Sequence, residues 1–208
     1  ANNVALGKAA LYANTTASDN TAVGFASLGA NTTGADNTAV GTNALLSNTT
    51  ASNNTAVGKS ALGANTTGND LAGFGFKALT LNTTGNDSTA SGAYALQRNT
   101  TGSNNVAFGY DVLGNNTTGD NNTAFGYQAA DTNTTGVGNT IIGGHCDVTA
   151  VGTNYAHGLG YNLACAAGYT TLGTSASDIR AAHGVATWAA VSDQRYKKDI
   201  VDSTAGLS

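Results

Sequence analysis

The stretch "NTAVGFASLGANTTGAD", Asn20 to Asp36, is followed at once by "NTAVGTNALLSNTTASN", Asn37 to Asn53. The glycine of this phrase stands at Gly7, Gly24, Gly41, Gly58, Gly75, Gly92, Gly109, Gly126 and Gly143, always 17 residues apart. The "NTT" triplet keeps the same interval from Asn14 to Asn133. A short period held without insertion marks a stacked array in which each repeat is one rung, because an insertion would break the stacking.

A helical rung is excluded by content: Thr, Asn and Gly dominate, and all three are poor in helix interiors. The "NTAVG" and "ALxxN" pieces suit short strands, and "NTTG" and the Asp/Asn after it suit turns, since Asn, Asp and Gly tolerate left-handed backbone. We therefore expect two short strands and two turns per rung. Spacing of about 4.8 Å between parallel rungs gives the nine glycine positions a rod of roughly 40 Å.

Three columns run through the array. Before each glycine stand Leu6, Val23, Val40, Val57, Phe74, Ser91, Phe108, Phe125 and Ile142; one step earlier the residue is almost always Ala. Leu11, Leu28, Leu45, Leu62, Leu79, Leu96 and Leu113 form the third column, broken by Ala130. Neighbours in a strand point to opposite faces. The expectation is that the Val/Phe and Leu columns fill the inside and that the Ala/Gly face admits another backbone. So thin a coil buries little apolar surface by itself, which favours side-by-side association, and a three-fold ring suits an elongated fibre.

Composition narrows the function. Charged residues make up 10% of the 208 and the net charge is −4, which offers no basic patch for phosphates and argues against nucleic acid as a partner. No apolar run approaches the ~20 residues of a membrane helix, so no membrane insertion is expected. "ANNVALG" at Ala1 lacks the basic start and apolar core of a signal peptide. With no Met and a start inside a repeat unit, the expectation is a piece of a longer protein. Cys146 and Cys165 are too few for a disulfide framework, and their pairing stays open.

On "NTAVG" and "NTAVGxxAL…NTTG", residues 1–143 resemble the head repeats of trimeric autotransporter adhesins (YadA-like heads) and similar arrays in bacteriophage tail-fibre proteins. The resemblance implies an all-β fold, a trimeric parallel β-roll or β-helix, left-handed as in the adhesin heads. A 17-residue unit is longer than the usual adhesin one, and the "NTT" turn carries the difference.

After Gly143 the glycines sit in "TAVG" (Thr149–Gly152), "HGLG" (His157–Gly160) and "TTLG" (Thr170–Gly173), at intervals of nine, eight and thirteen. We expect strands to persist there without the "NTT" turn, making 144–175 an irregular cap or neck, followed by a connector at 176–191 that holds Trp188. From Ser192 the chain reads "SDQRYKKDI". This run resembles the opening of the endosialidase-type intramolecular chaperone, which trimerises phage fibres and cuts itself off at a Ser–Asp bond. The resemblance implies a scissile bond between Ser192 and Asp193. Ser192 is then the nucleophile and Lys197 the base, its pKa lowered by burial or by Arg195 and Lys198. Ser–Lys pairs are a known variant of that scheme. The alternative is a charged, solvated segment. Residues 192–208 hold only the start of such a domain.

Other candidate sites are weaker. The column Asp19, Asp36, Asn53, Asp70, Asp87, Asn104 and Asn121 offers stacked oxygens to calcium, but Asn replaces Asp freely, and a turn ladder is the better reading. "GHCD" (Gly144–Asp147) matches no standard metal spacing, and His157 and His183 stand apart from it. No cofactor and no metal are expected. The "NTT" triplet also matches the N-glycosylation sequon; we assign it to the turn. Phe25, Phe76, Tyr110 and Tyr127 follow their glycines in the most variable column. They form either a stripe for a host sugar or protein receptor or packing between chains.

These readings add up to a structural, host-receptor-binding fibre of a phage tail or tail-like device: a homotrimer joined to the rest of the tail, extracellular on the virion. The first alternative is an adhesin head on a bacterial surface. The second is a glycan depolymerase, which needs two facing carboxylates, and the twelve acids show no isolated pair within one chain. In a chain carrying the complete chaperone, we expect cleavage at Ser192–Asp193, blocked by Ser192→Ala and slowed by Lys197→Ala, with trimers formed in every case. Denaturing and native gels read both outcomes, and an uncut wild type overturns the assignment.

Overall fold

In a computed structural model that describes residues 2–184 and 189–190, the chain is all-β. Nine three-residue strands come first: β1 (Val4–Leu6), β2 (Thr21–Val23), β3 (Thr38–Val40), β4 (Thr55–Val57), β5 (Ala72–Phe74), β6 (Thr89–Ser91), β7 (Val106–Phe108), β8 (Thr123–Phe125) and β9 (Thr140–Ile142). Then come β10 (Asp147–Val148), β11 (His157–Tyr161), β12 (Ala164–Cys165), β13 (Tyr169–Thr174), β14 (Ser177–Ala182) and β15 (Ala189–Ala190). Strands β1 to β9, β11 and β13 stack in parallel, each residue opposite its counterpart one rung on. The fold is a parallel β-solenoid of 17-residue rungs.

Each repeat rung carries one strand of the main sheet, not the two expected. The "ALxxN" piece is a chain of turns, with left-handed residues such as Ala26 (φ 53°) and Leu28 (φ 49°). It still bonds to the next rung, Leu28 N–H to the Ala44 carbonyl at 3.0 Å and Ala30 N–H to that of Leu46 at 3.1 Å. Backbone polar groups are thus satisfied between rungs even where the chain is not extended.

The strand faces are also the reverse of the expected ones. The Leu column is wholly buried from Leu28 to Leu113, as expected, but it meets the Ala column. At Gly73, which replaces an Ala, an added Cβ would touch Leu62 Cγ at 3.4 Å. The Val/Phe column points outward, with Val57, Phe74, Phe108, Phe125 and Ile142 between 37% and 42% exposed. Across the coil a leucine faces a methyl, and where Ala130 replaces the leucine the inward position is taken by the buried Ile141. The glycine column stacks backbone on backbone. At Gly58 (φ +137°) a Cβ would lie 2.4 Å from the Gly75 oxygen, so any side chain there is both clashing and strained.

Polar ladders complete the interior. The "NTT" asparagines from Asn31 to Asn133 are fully buried. Each side-chain amide donates to the carboxamide oxygen one rung back, as in Asn99 to Asn82 at 2.8 Å, and to the carbonyl three residues on, as in Asn99 to Gly102 at 2.8 Å. The strand-leading asparagines form a second ladder: Asn37 N–H donates to Asn20 Oδ1 at 3.0 Å and Asn54 N–H to Asn37 Oδ1 at 3.0 Å. The two ladders meet, since Asn20 and Asn31 both donate to the Gly34 carbonyl at 2.9 Å. The first Thr of each triplet donates to the next rung's backbone, Thr83 to Thr100 O at 3.0 Å. The sequon is therefore consumed by the corner, its Asn closed to modification in the folded chain.

The 17-residue spacing runs one rung beyond Gly143, because β9 pairs with β11, Thr140 opposite His157. "TAVG" is not a strand; it turns the corner that "NTT" turns elsewhere, with Val151 O accepting from Thr134 N–H at 2.8 Å. Ala150 occupies the asparagine position, so the ladder ends and Asn133 Oδ1 is buried without a partner. The next rung has 13 residues, His157 opposite Thr170. Antiparallel β14 and β15 then cover the sheet edge. Within 176–191, Ser177–Ala182 and Ala189–Ala190 are antiparallel strands and His183–Gly184 a turn.

Enlarging the inward Ala column should overpack the coil. We expect Ala56→Leu to cost about 1–3 kcal/mol or more, and Val57→Ala to leave the isolated coil's denaturation midpoint nearly unchanged, by circular dichroism. Equal losses would mean that the faces are assigned wrongly.

Candidate functional site

Three of the four aromatics picked out in the sequence join a longer surface row. Phe76 meets Tyr94 edge-on at 5.3 Å between ring centroids, and Tyr94 meets Tyr110 at 5.7 Å. Tyr110 stacks on Tyr127 at 5.4 Å, nearly parallel, and Tyr127 continues through His145 to Tyr161. Lys77 Nζ lies 5.3 Å from the Phe76 ring centre, a contact worth about 0.5–1 kcal/mol at an exposed site. Phe25 is exposed but separate, since Thr42 and Lys59 hold its column on the next rungs. The sequence reading missed Tyr94 and His145, which sit one residue later in their rungs, and Tyr161, in the tenth rung. Their spacing from Gly92, Gly143 and Gly160 was the available signal.

Beside this row runs the outward Val/Phe column, with Phe108 and Phe125 stacked at 5.0 Å and 2°. No charged residue occupies that column from Leu6 to Leu159. The two columns flank the glycine ladder, and from Phe74 to Tyr161 the surface they share is apolar and aromatic apart from Ser91.

Where the aromatic row ends, a cavity of about 360 Å³ opens among Gln128, Asp131, His145, Asp147 and Asn162. Burial raises the Asp131 pKa above the usual carboxylate value; Asp111 and Asp147 add to the rise and Arg98 opposes it. Asp147 accepts from the Thr132 backbone N–H at 3.0 Å and from its hydroxyl. The "GHCD" residues diverge: His145 lies on the surface row, Cys146 is buried, and Asp147 holds the Thr132 turn. Among the described residues no three His, Cys, Asp or Glu side chains are grouped to hold a metal.

His157 and His183, remote in sequence, meet at 4.7 Å between centroids, and Thr170 Oγ1 lies 3.3 Å from His183 Nε2. Burial, and then the neighbouring His183, lower the His157 pKa. The Asp19 to Asn121 column is left-handed throughout, at φ 53–62°, as the turn reading requires. Ser192, Asp193 and Lys197, with Arg195 and Lys198, lie outside the described residues.

Comparison with protein families, curated proteins and solved structures finds no match for this chain.

The raised Asp131 pKa has a sign that can be tested. Its folded value exceeds its unfolded one, so stability from this group is full below the unfolded pKa and is lost as pH rises through the folded value. Asp131→Asn keeps the acceptor that Asn115 uses. It should stabilise the chain at neutral pH, and the advantage should vanish on acidification through the carboxylate range. Thermal melts across pH read this, and a variant less stable at pH 7 contradicts it.

Proposed function

We propose that the chain is a structural, receptor-binding segment of a phage tail fibre or tail-like device, assembled as a homotrimer and matured by self-cleavage at Ser192–Asp193. The observation that carries this reading is the outward Val/Phe column. A monomer leaves an uncharged strip, apolar except at Ser91, along one side of a rod, from Val57 through Phe125 to Leu159. Contiguous apolar strips of this kind mark association surfaces. The strip repeats with the rung, so identical coils align rung for rung, and a closed ring leaves no strip exposed. The interface is thus the Val/Phe face, while the Ala face expected to take that role lies inside the coil.

The aromatic row supports the receptor part of the reading. Tyr110, Tyr127 and Tyr161 are 44%, 51% and 59% exposed, rings whose edges and hydroxyls suit a sugar or a protein loop. The coil beneath is regular and bonded rung to rung, which fits a mechanical and adhesive role.

The test is assembly. We expect an elongated trimer by light scattering and sedimentation, and a monomer from the double variant Phe108→Asp, Phe125→Asp, since carboxylates in a dry interface are costly. A monomeric wild type, or trimers from the variant, would refute the proposed interface.

A further inference from the structure

Cys146 and Cys165 are both wholly buried at the C-terminal end of the solenoid, with their Sγ atoms 3.6 Å apart. Cys146 directly precedes β10 and Cys165 ends β12, and these short strands pair in parallel with Val148 opposite Cys165. The third wall is Gly158 of β11, in the column that is Ala in most rungs. A Cβ there would lie 2.2 Å from Cys165 Sγ and 3.0 Å from Cys146 Sγ. The missing methyl leaves the space that the two sulfurs occupy, and these are the only cysteines in the chain.

We propose that Cys146 and Cys165 form a disulfide that staples the rung after β9 to the rung after β11. The sulfurs are in contact but not bonded; a bond of about 2.05 Å requires closing by roughly 1.6 Å. In the closed rungs the contact between the two thiols lowers the Cys146 pKa against the opposing effect of burial, whereas the same contact and burial push the Cys165 thiol up. Once the rungs open this contact is lost, and either cysteine can supply the attacking thiolate.

The oxidant is a small-molecule disulfide of the oxidised-glutathione class. One of the two cysteines, as its thiolate, attacks one of its sulfurs, breaks that S–S bond and releases one thiolate. The other cysteine gives up its proton to that thiolate and attacks the first cysteine's Sγ in the mixed disulfide, releasing a second small thiolate that takes up the proton the first cysteine lost. Two S–H groups become one S–S bond, and two electrons and two protons end on the reduced oxidant. Since both sulfurs are buried, exchange occurs while the terminal rungs are open, during folding or local unfolding. The bond then constrains the rungs beneath the antiparallel β13–β14 cover, where the asparagine ladder has already ended.

The test uses the full chain refolded in oxidised or in reduced glutathione, then unfolded in the presence of iodoacetamide and weighed. The oxidised sample should be lighter than the reduced chain by two hydrogens before alkylation, should take up no alkyl group and should run as a single chain on non-reducing gels. The reduced sample should take up two alkyl groups. The thermal midpoint should be higher for the oxidised sample, and that difference should be lost in Cys146→Ala and in Cys165→Ala. Two free thiols after oxidation, a glutathione adduct left on one cysteine, a link between chains, or equal midpoints in the two redox states would each overturn the proposal.

Discussion

Buried carboxamides set the register of this protein. A coil of 17 residues per turn encloses too little volume for an apolar core of ordinary size, and its interior is shared between a leucine–alanine stack and two asparagine ladders. A buried carboxamide without partners costs about 1–3 kcal/mol. Here the side-chain amide of each interior "NTT" asparagine donates within its own rung and to the rung before it, so a shift of register would orphan several groups together. That accounts for a period without insertions. It also accounts for the change of architecture where the pattern stops: at Ala150 the ladder has no next member, and within two rungs the parallel stack closes on antiparallel strands.

The same narrowness governs the outside. With the leucine side chain inside, only a methyl or a hydrogen fits opposite, and every bulky residue beside the glycine is turned to solvent. The apolar surface that drives most folding is therefore divided between the interior of one coil and its exterior. The proposed trimer joins the two, since the outer strip becomes core only when coils come together.

Features of the site were legible to different depths. The column after each glycine pointed to Phe25, Phe76, Tyr110 and Tyr127; the last three share a row, and Phe25 stands apart because Thr42 and Lys59 follow it. Tyr94 and His145 escaped because they sit one position later and reach the row by side-chain direction. The cavity around Asp131, the His157–His183 contact and the sulfur pair depend on the last rungs, where spacing changes from 17 to 13. There a residue's neighbours no longer follow from counting.

The sequence by itself determined the period, the stacked solenoid, the buried leucine column and the left-handed corners, since each follows from repetition and from which residues tolerate which backbone. It also showed that the two faces of each strand differ. Only the tertiary structure decided which face is inside, because alternation is symmetric until the width of the enclosed space is known. It decided too that the "NTT" asparagines are structural donors in a dry interior, and that Gly158 leaves room for two sulfurs. Both depend on distances across the coil, which no column of the sequence records.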